Sequence, residues 1–396
     1  MTHRLSQRTF RTAAAVASVG MLAAVAACGG SSDSGDGTIV IGYSAGLSGG
    51  AAEYGVNVQN GLKMAIDEVN EEGVEIDGKK YTVKLESLDD QYQPGTTGTN
   101  VQRLVEKEGA SVVFVPHAGG IKAAQELNSG RTEFLVGAYS SDPAILESGN
   151  DLTVMIPPSF DSYVQPFIDK VKTKENAKLG LMATASEFGQ EWTKTTIEKW
   201  EASGGEVLPK NNIDYGTVSD FAGPVAKTLA GKPDVILVGG PSQPTALLIE
   251  EARKQGFKGA FLIIDQAKFE ELEEFTDPKN LNNSVGIMPL PLFEGTEKFI
   301  ADYKEKYSSE KPVNADIALN YQALPIFIEA MKIAGTTDDP KAIREAMGEA
   351  VKSVEGVFFV PNKVSAKGHL QADGLQAAYR NADGEYEPFA IEQPQE

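Results

Sequence analysis

Cysteine, tryptophan and histidine are all scarce: 396 residues hold one, two and three of them. The lone cysteine, Cys28, excludes an intramolecular disulfide and a thiolate metal site. Only His117 and His369 lie beyond the amino end, so a histidine-built metal centre is not expected. Positive charge is also short, with 36 Lys and Arg against 56 Asp and Glu, a net charge of −20. That balance serves solubility and disfavours nucleic acid or an anionic membrane surface as partner. There is no Gly-rich phosphate loop ending in Lys-Ser/Thr, nor a dinucleotide fingerprint in the right context. No cofactor is expected.

One apolar stretch stands out, Ala13 to Ala27, behind Arg4, Arg8 and Arg11. It is too short and too alanine-rich to span a membrane comfortably, and residues 1–27 read as a signal peptide. It ends in Val25-Ala26-Ala27-Cys28, which matches the bacterial lipobox, where the cysteine is lipidated and becomes the mature amino terminus. Two acyl chains on Cys28 would anchor the protein stably, where one is marginal. Residues 28–37 are Gly, Ser and Asp apart from Cys28 and read as a flexible linker. The expected location is extracytoplasmic, lipid-anchored to the cell membrane.

From Thr38 the chain turns to folded structure. Ile39-Val40-Ile41 is a buried strand, Gly42 to about Tyr54 a loop of small residues. Val58, Leu62, Ala65, Ile66 and Val69 then fall on one face of a helix. Such a unit brings a strand's carboxyl end and a helix's amino end together, where ligands sit in open α/β sheets. The pattern repeats through strands at Tyr81–Leu85, Ser111–Val115 and Glu133–Val136, breaks at Met155-Ile156-Pro157-Pro158, and resumes. The second run has strands at Ala177–Met182, Gly205–Leu208, Asp234–Val238, Ala260–Ile264 and Val285–Met288. Its helices include Glu187–Trp200 and one capped by Ser219; long helices and an alternating tail follow. This spells α/β, two doubly wound Rossmann-like units of similar element order. The acids Glu271 to Glu274 and Asp338-Asp339 read as solvated surface.

Three stretches match a known pattern: Ile41 to Gly61 with its Leu-Ser-Gly and Ala-Ala-Glu-Tyr-Gly, Asp89-Asp90 followed by Pro94, and Glu187-Phe188-Gly189-Gln190. In order and spacing they resemble the leucine/isoleucine/valine-binding protein family, the type I periplasmic binding proteins of ABC importers. The resemblance covers residues 38 to 396. It implies two lobes joined by crossover strands that close on a small-molecule solute. The lobes would be 38–156 with 288–354, and 157–287 with 355–396. It also implies an ABC permease as partner, a monomer, and no enzymatic activity.

The resemblance places the solute on the loops after the strands. Tyr54 would line the cleft. His117 and the Gly119 and Gly120 amides would stand in for a serine the family often carries, as donors to a carboxylate. In the loop Tyr139-Ser140-Ser141, Ser141 matches the family's hydroxyl contact and Tyr139 would narrow or cap the pocket. From the second lobe, Phe188 replaces a usual tyrosine, Asp265 falls where amino-acid-binding members place an acid for the ammonium, and Ser242 lies in the remaining loop. For His117 a loop histidine bonded to backbone is the competing reading, and for Asp265 a helix cap. The implied solute is an amino acid of branched-chain or apolar type or a similar small carboxylate; an aromatic acid or short amide would use the same cleft.

Two rival functions compete with this one. Gly42-Tyr43-Ser44-Ala45-Gly46 spells the nucleophile elbow of α/β-hydrolases, with His369 downstream, but it sits on the first strand with no oxyanion loop before it. The same fold also serves sensors, and a lipoprotein could report to a membrane kinase.

Overall fold

A computed structural model describes residues 37–128 and 132–392. The signal segment, Cys28 and most of the linker lie outside them. Six strands form the first sheet: β1 (Gly37–Ala45), β2 (Val74–Ile76), β3 (Lys79–Asp89), β4 (Val112–Val115), β5 (Leu135–Ala138) and β6 (Thr153–Met155). Their order is β2-β3-β1-β4-β5-β6, all parallel except β2. Between them run α1 (Ala52–Glu72), α2 (Pro94–Glu106), α3 (Ala118–Leu127) and α4 (Ala144–Glu147).

The second sheet begins after α5 (Asp161–Val171). It contains β7 (Lys178–Leu181), β8 (Glu206–Val207), β9 (Val235–Val238), β10 (Ala260–Ile263) and β11 (Ser284–Ile287). The connecting helices are α6 (Glu187–Ala202), α7 (Ala222–Leu229), α8 (Ser242–Lys254) and α9 (Phe269–Phe275). The chain then runs through α10 (Glu297–Tyr307), α11 (Ala315–Ala334) and α12 (Pro340–Ala350), and the small pair β12 (Lys363–Val364) and β13 (Leu370–Gln371). It ends in β14 (Gln376–Arg380) and β15 (Tyr386–Ala390), which add antiparallel to β11 at the edge of the second sheet.

Period-two alternation explains why both sheets are covered on both faces. Ile39, Ile41 and Tyr43 of β1 and Phe114 of β4 pack with α1, α11 and α12, while Val40, Val113 and Val115 pack with α2 and α3. In the second sheet Leu179, Leu237 and Leu262 face α5 and α6, and Ile236, Val238 and Phe261 face α7, α8 and α9. Trp192, Thr196 and Trp200, one face of α6, are fully buried. Helix α11 is apolar almost all round and packs closely on α1. A Cβ on Gly61 would lie 2.3 Å from the Ile317 carbonyl oxygen, so the two helices can approach this closely only because position 61 is glycine.

The chain passes between the sheets after Met155, after Ile287 and again between Gln371 and Gln376. The last passage falls well beyond Glu355. The Met155 amide donates to the Gly368 carbonyl at 2.9 Å, and Leu370 is buried in the core of the first sheet. Ser219 caps no helix; α7 starts at Ala222, whose amide donates to Asp220 instead. Elsewhere expected and observed elements agree to within a few residues.

Candidate functional site

In both sheets the strand order reverses beside the first strand, so the loops after β1 and β4 and those after β7 and β9 splay apart to leave a crevice. The two crevices face each other. A cavity of about 30 Å³ lies between them, walled by Tyr54, His117, Tyr139, Ser140, Ser141 and Asp316 from the first sheet's side and Phe188, Asp265, Gln266 and Lys268 from the second's. It adjoins an open cleft of about 440 Å³ along the first turns of α3 and α6, with Tyr92, His117, Ala118 and Phe188 common to both.

Asp265 lies two residues beyond the end of β10 and is held by Trp192, whose indole N–H donates to Oδ1 at 2.9 Å. Burial pushes its carboxyl above the usual range, with the nearby Lys268 ammonium opposing. Lys268 is buried. Its Nζ lies 2.9 Å from Asp316 Oδ1 and donates to the carbonyls of Asp265 at 2.6 Å and Gln266 at 3.3 Å. Burial alone would lower the Lys268 ammonium; Asp316 and Asp265 outweigh it and hold it above its ordinary value. Asp316 sits in the first turn of α11, where Asn314 caps the helix by accepting from the amides of Asp316 and Ile317. Gln266 Nε2 reaches the Tyr92 hydroxyl at 3.0 Å. The Lys268–Asp316 and Gln266–Tyr92 contacts thus bridge elements of the two sheets.

Tyr54 and Tyr139 stack with centroids 6.2 Å apart, and Tyr139 donates its hydroxyl to Asp316 at 2.7 Å. Phe188 packs edge-on against Phe160. Ser140 and Ser141 line the wall, and the Ser141 hydroxyl lies beside the Asp265 carboxyl.

His117, expected as a donor to a carboxylate, has both ring nitrogens engaged by the protein. Nδ1 accepts from the Gly120 amide at 3.0 Å, which puts the proton on Nε2, 3.1 Å from Asp90 Oδ2. The buried Asp90 also accepts from Ser44 and Thr97, each at 2.9 Å. His117 therefore caps α3 and presents a ring face, stacked on Tyr92 at 4.6 Å. The Gly120 amide is used in the same cap, while Gly119 borders the open cleft. Ser242 lies off the cavity, hydrogen-bonded to Glu271 and accepting from the Lys268 amide at 3.2 Å. Glu271, expected at the surface, is buried, and Asn57 and Asn314 donate to it from the far side at 2.5 Å each. The Ser44 hydroxyl is fully buried against Asp90, which leaves no nucleophile elbow. Among the described residues no cluster of His, Cys, Asp or Glu is arranged for a metal ion, and no helix is long and apolar enough to cross a membrane.

Asp316, Lys268, Gln266 and Tyr92 escaped the sequence reading. The one signal was Asp316, a charge opening an otherwise apolar helix.

A family model described as periplasmic binding protein matches residues 38–384. The chain belongs to that family. It is an extracytoplasmic protein that binds a small solute and is not an enzyme. The Leu/Ile/Val-binding protein homolog 1 of Brucella abortus is 26% identical over 376 residues, covering 92% of this chain and 96% of that protein. Two crystal structures share the two-lobed fold. The leucine binding protein LivK of Thermotoga maritima has a TM-score of 0.74 at 20% identity, covering 90% of this chain and 99% of that one. The substrate binding protein LivJ of Streptococcus pneumoniae, solved with isoleucine, has a TM-score of 0.73 at 23% identity, covering 90% of this chain and all of that one. In this periplasmic binding protein each sheet with its helices is one lobe, and the cavity lies between the lobes.

Proposed function

We propose that this periplasmic binding protein captures an amino acid of the branched-chain or apolar type between its lobes and delivers it to an ABC importer, held to the membrane through a lipid on Cys28. The jaws are 38–156 with 288–371, and 157–287 with the carboxyl-terminal strands. The observation that carries this reading is the placement of half-buried Asp265 on the cavity wall, backed by Trp192 and facing loops of the other lobe. Asp265 takes the ammonium by a charge-assisted hydrogen bond. The carboxylate lies toward the amino end of α3, beside Ala118, Gly119 and Ser141, where free amides and the helix dipole favour an anion. The side chain packs on Phe188 and the tyrosine rings. The names of the relatives, Leu/Ile/Val-binding and leucine-binding, agree with this solute class.

Closure follows from the same geometry. Contacts on both lobes reach one solute only when the lobes meet, so the solute favours the closed form by its differential affinity. The wall of Tyr54, Tyr92, Tyr139 and Phe188 favours a second reading, an aromatic acid. A thermal-shift panel of the common amino acids and simple aromatic acids separates the two. A ligand at 100 times its Kd raises stability by about 2.7 kcal/mol. The largest shifts are expected with leucine, isoleucine and valine; shifts confined to aromatic acids support the second reading, and none with any amino acid removes the first.

A further inference from the structure

We propose that Asp316 is a solute contact, and that Asp316 and Asp265 together hold one primary ammonium, one carboxylate from each lobe. The proposal rests on the amino-acid reading above and adds to it a residue from a distant part of the chain.

Asp316 is 1% exposed, yet only half of its carboxylate is satisfied. Oδ1 accepts from the Tyr139 hydroxyl at 2.7 Å and pairs with Lys268 Nζ at 2.9 Å. Oδ2 has no hydrogen-bond partner within the protein. One other buried oxygen on the same cavity wall shares that condition, Gln266 Oε1. Buried polar atoms are seldom left unpaired, and two on one cavity wall mark where an occupant belongs. A carboxylate oxygen and an amide oxygen can only accept. An occupant that satisfies both must donate two hydrogens in different directions.

Lys268 does not fill this role. Its hydrogens go to Asp316 Oδ1 and to the carbonyls of Asp265 and Gln266. The charge count points the same way, since the cavity wall carries two carboxylates, Asp265 and Asp316, against the one ammonium of Lys268. The ammonium end of a zwitterion set between them gives the second carboxylate a positive neighbour. A primary ammonium brings one charge and three donors, whereas a neutral amide lacks the charge and a trimethylated ammonium lacks the donors.

Calorimetry on wild type and Asp316→Asn, with L-isoleucine and with 3-methylbutylamine as an ammonium without a carboxylate, tests the proposal. Truncating one side of a buried charge pair weakens binding at least about 30-fold, and that loss is expected for isoleucine. The amine is expected to bind wild type detectably and the variant not at all. Isoleucine bound equally by both proteins overturns the clamp and leaves the amino-acid reading standing. An amine that binds in an Asp316-dependent way while no amino acid binds does the reverse. Crystals of wild type grown with L-isoleucine read the contact without a variant. The ammonium nitrogen is expected within about 3.2 Å of Asp316 Oδ2. A water on Oδ2, with the nitrogen elsewhere, overturns the proposal, as does failure of the amine to bind wild type.

Discussion

Lys268 Nζ lies 2.9 Å from Asp316 Oδ1, the ammonium carried by the second lobe and the carboxylate by the first. Both side chains are buried, and the pair is an electrostatic tie across the cleft.

Breaking one side of a buried ion pair leaves a charge without compensation, at a cost of about 3–5 kcal/mol. Lys268→Met is therefore expected to lower the urea midpoint sharply. Asp316→Asn in the same chain removes the stranded charge and recovers part of the loss. A double-mutant cycle on the two positions checks this, and effects that simply add would show that the pair contributes no coupling.

Glu271 gives the stability of the fold a pH dependence of definite sign. Burial, with Asp316 adding to it, raises its carboxyl to about 8, against the opposing Ser242 hydrogen bond. Burial also raises the neighbouring Glu270 to about 7. An acid whose native value lies above its unfolded value binds more protons in the native state. Its stabilising contribution is full below the ordinary carboxyl range and is lost as pH rises through 7 to 8. Melting temperature is thus expected to fall from pH 5 to pH 9, and less steeply in Glu271→Gln. Parallel profiles for the two proteins would refute the assignment.

Cys28→Ser removes the only thiol a lipid could use. The variant is expected to accumulate as unprocessed precursor, and globomycin to have the same effect on wild type. Normal cleavage with release of the protein in either case would remove the anchor from the account.

The sequence was most informative where the physics is local. Ile39, Ile41 and Tyr43 announce a strand by period two, and Val58, Leu62 and Ile66 a helix by period 3.6. Asp265 was legible as a charge standing directly after an apolar strand. The motif-bearing loops also brought Tyr54, Tyr139, Ser141 and Phe188 to one cavity. His117 was legible as a loop residue but not in its partners, because Asp90 and Gly120 become its neighbours only through tertiary packing and the turn of α3. Lys268 and Asp316 are 48 positions apart by number and lie on different lobes, so no local pattern links them. Glu271 misled for a similar reason. In a run of acids it looks like solvent-facing charge, and only Asn57, Asn314 and Ser242, gathered from three separate elements, make its burial tolerable.

The central claim is that one small amino acid is gripped between the lobes through its ammonium at Asp265. Isothermal titration of L-isoleucine into wild type and Asp265→Asn tests it most directly. The substitution keeps an acceptor for Trp192 and removes only the charge. The account predicts one-to-one binding to wild type and a loss of affinity of at least about tenfold in the variant, the worth of one charge-assisted hydrogen bond. Equal affinity in both proteins, or no binding of any amino acid to wild type, would contradict it.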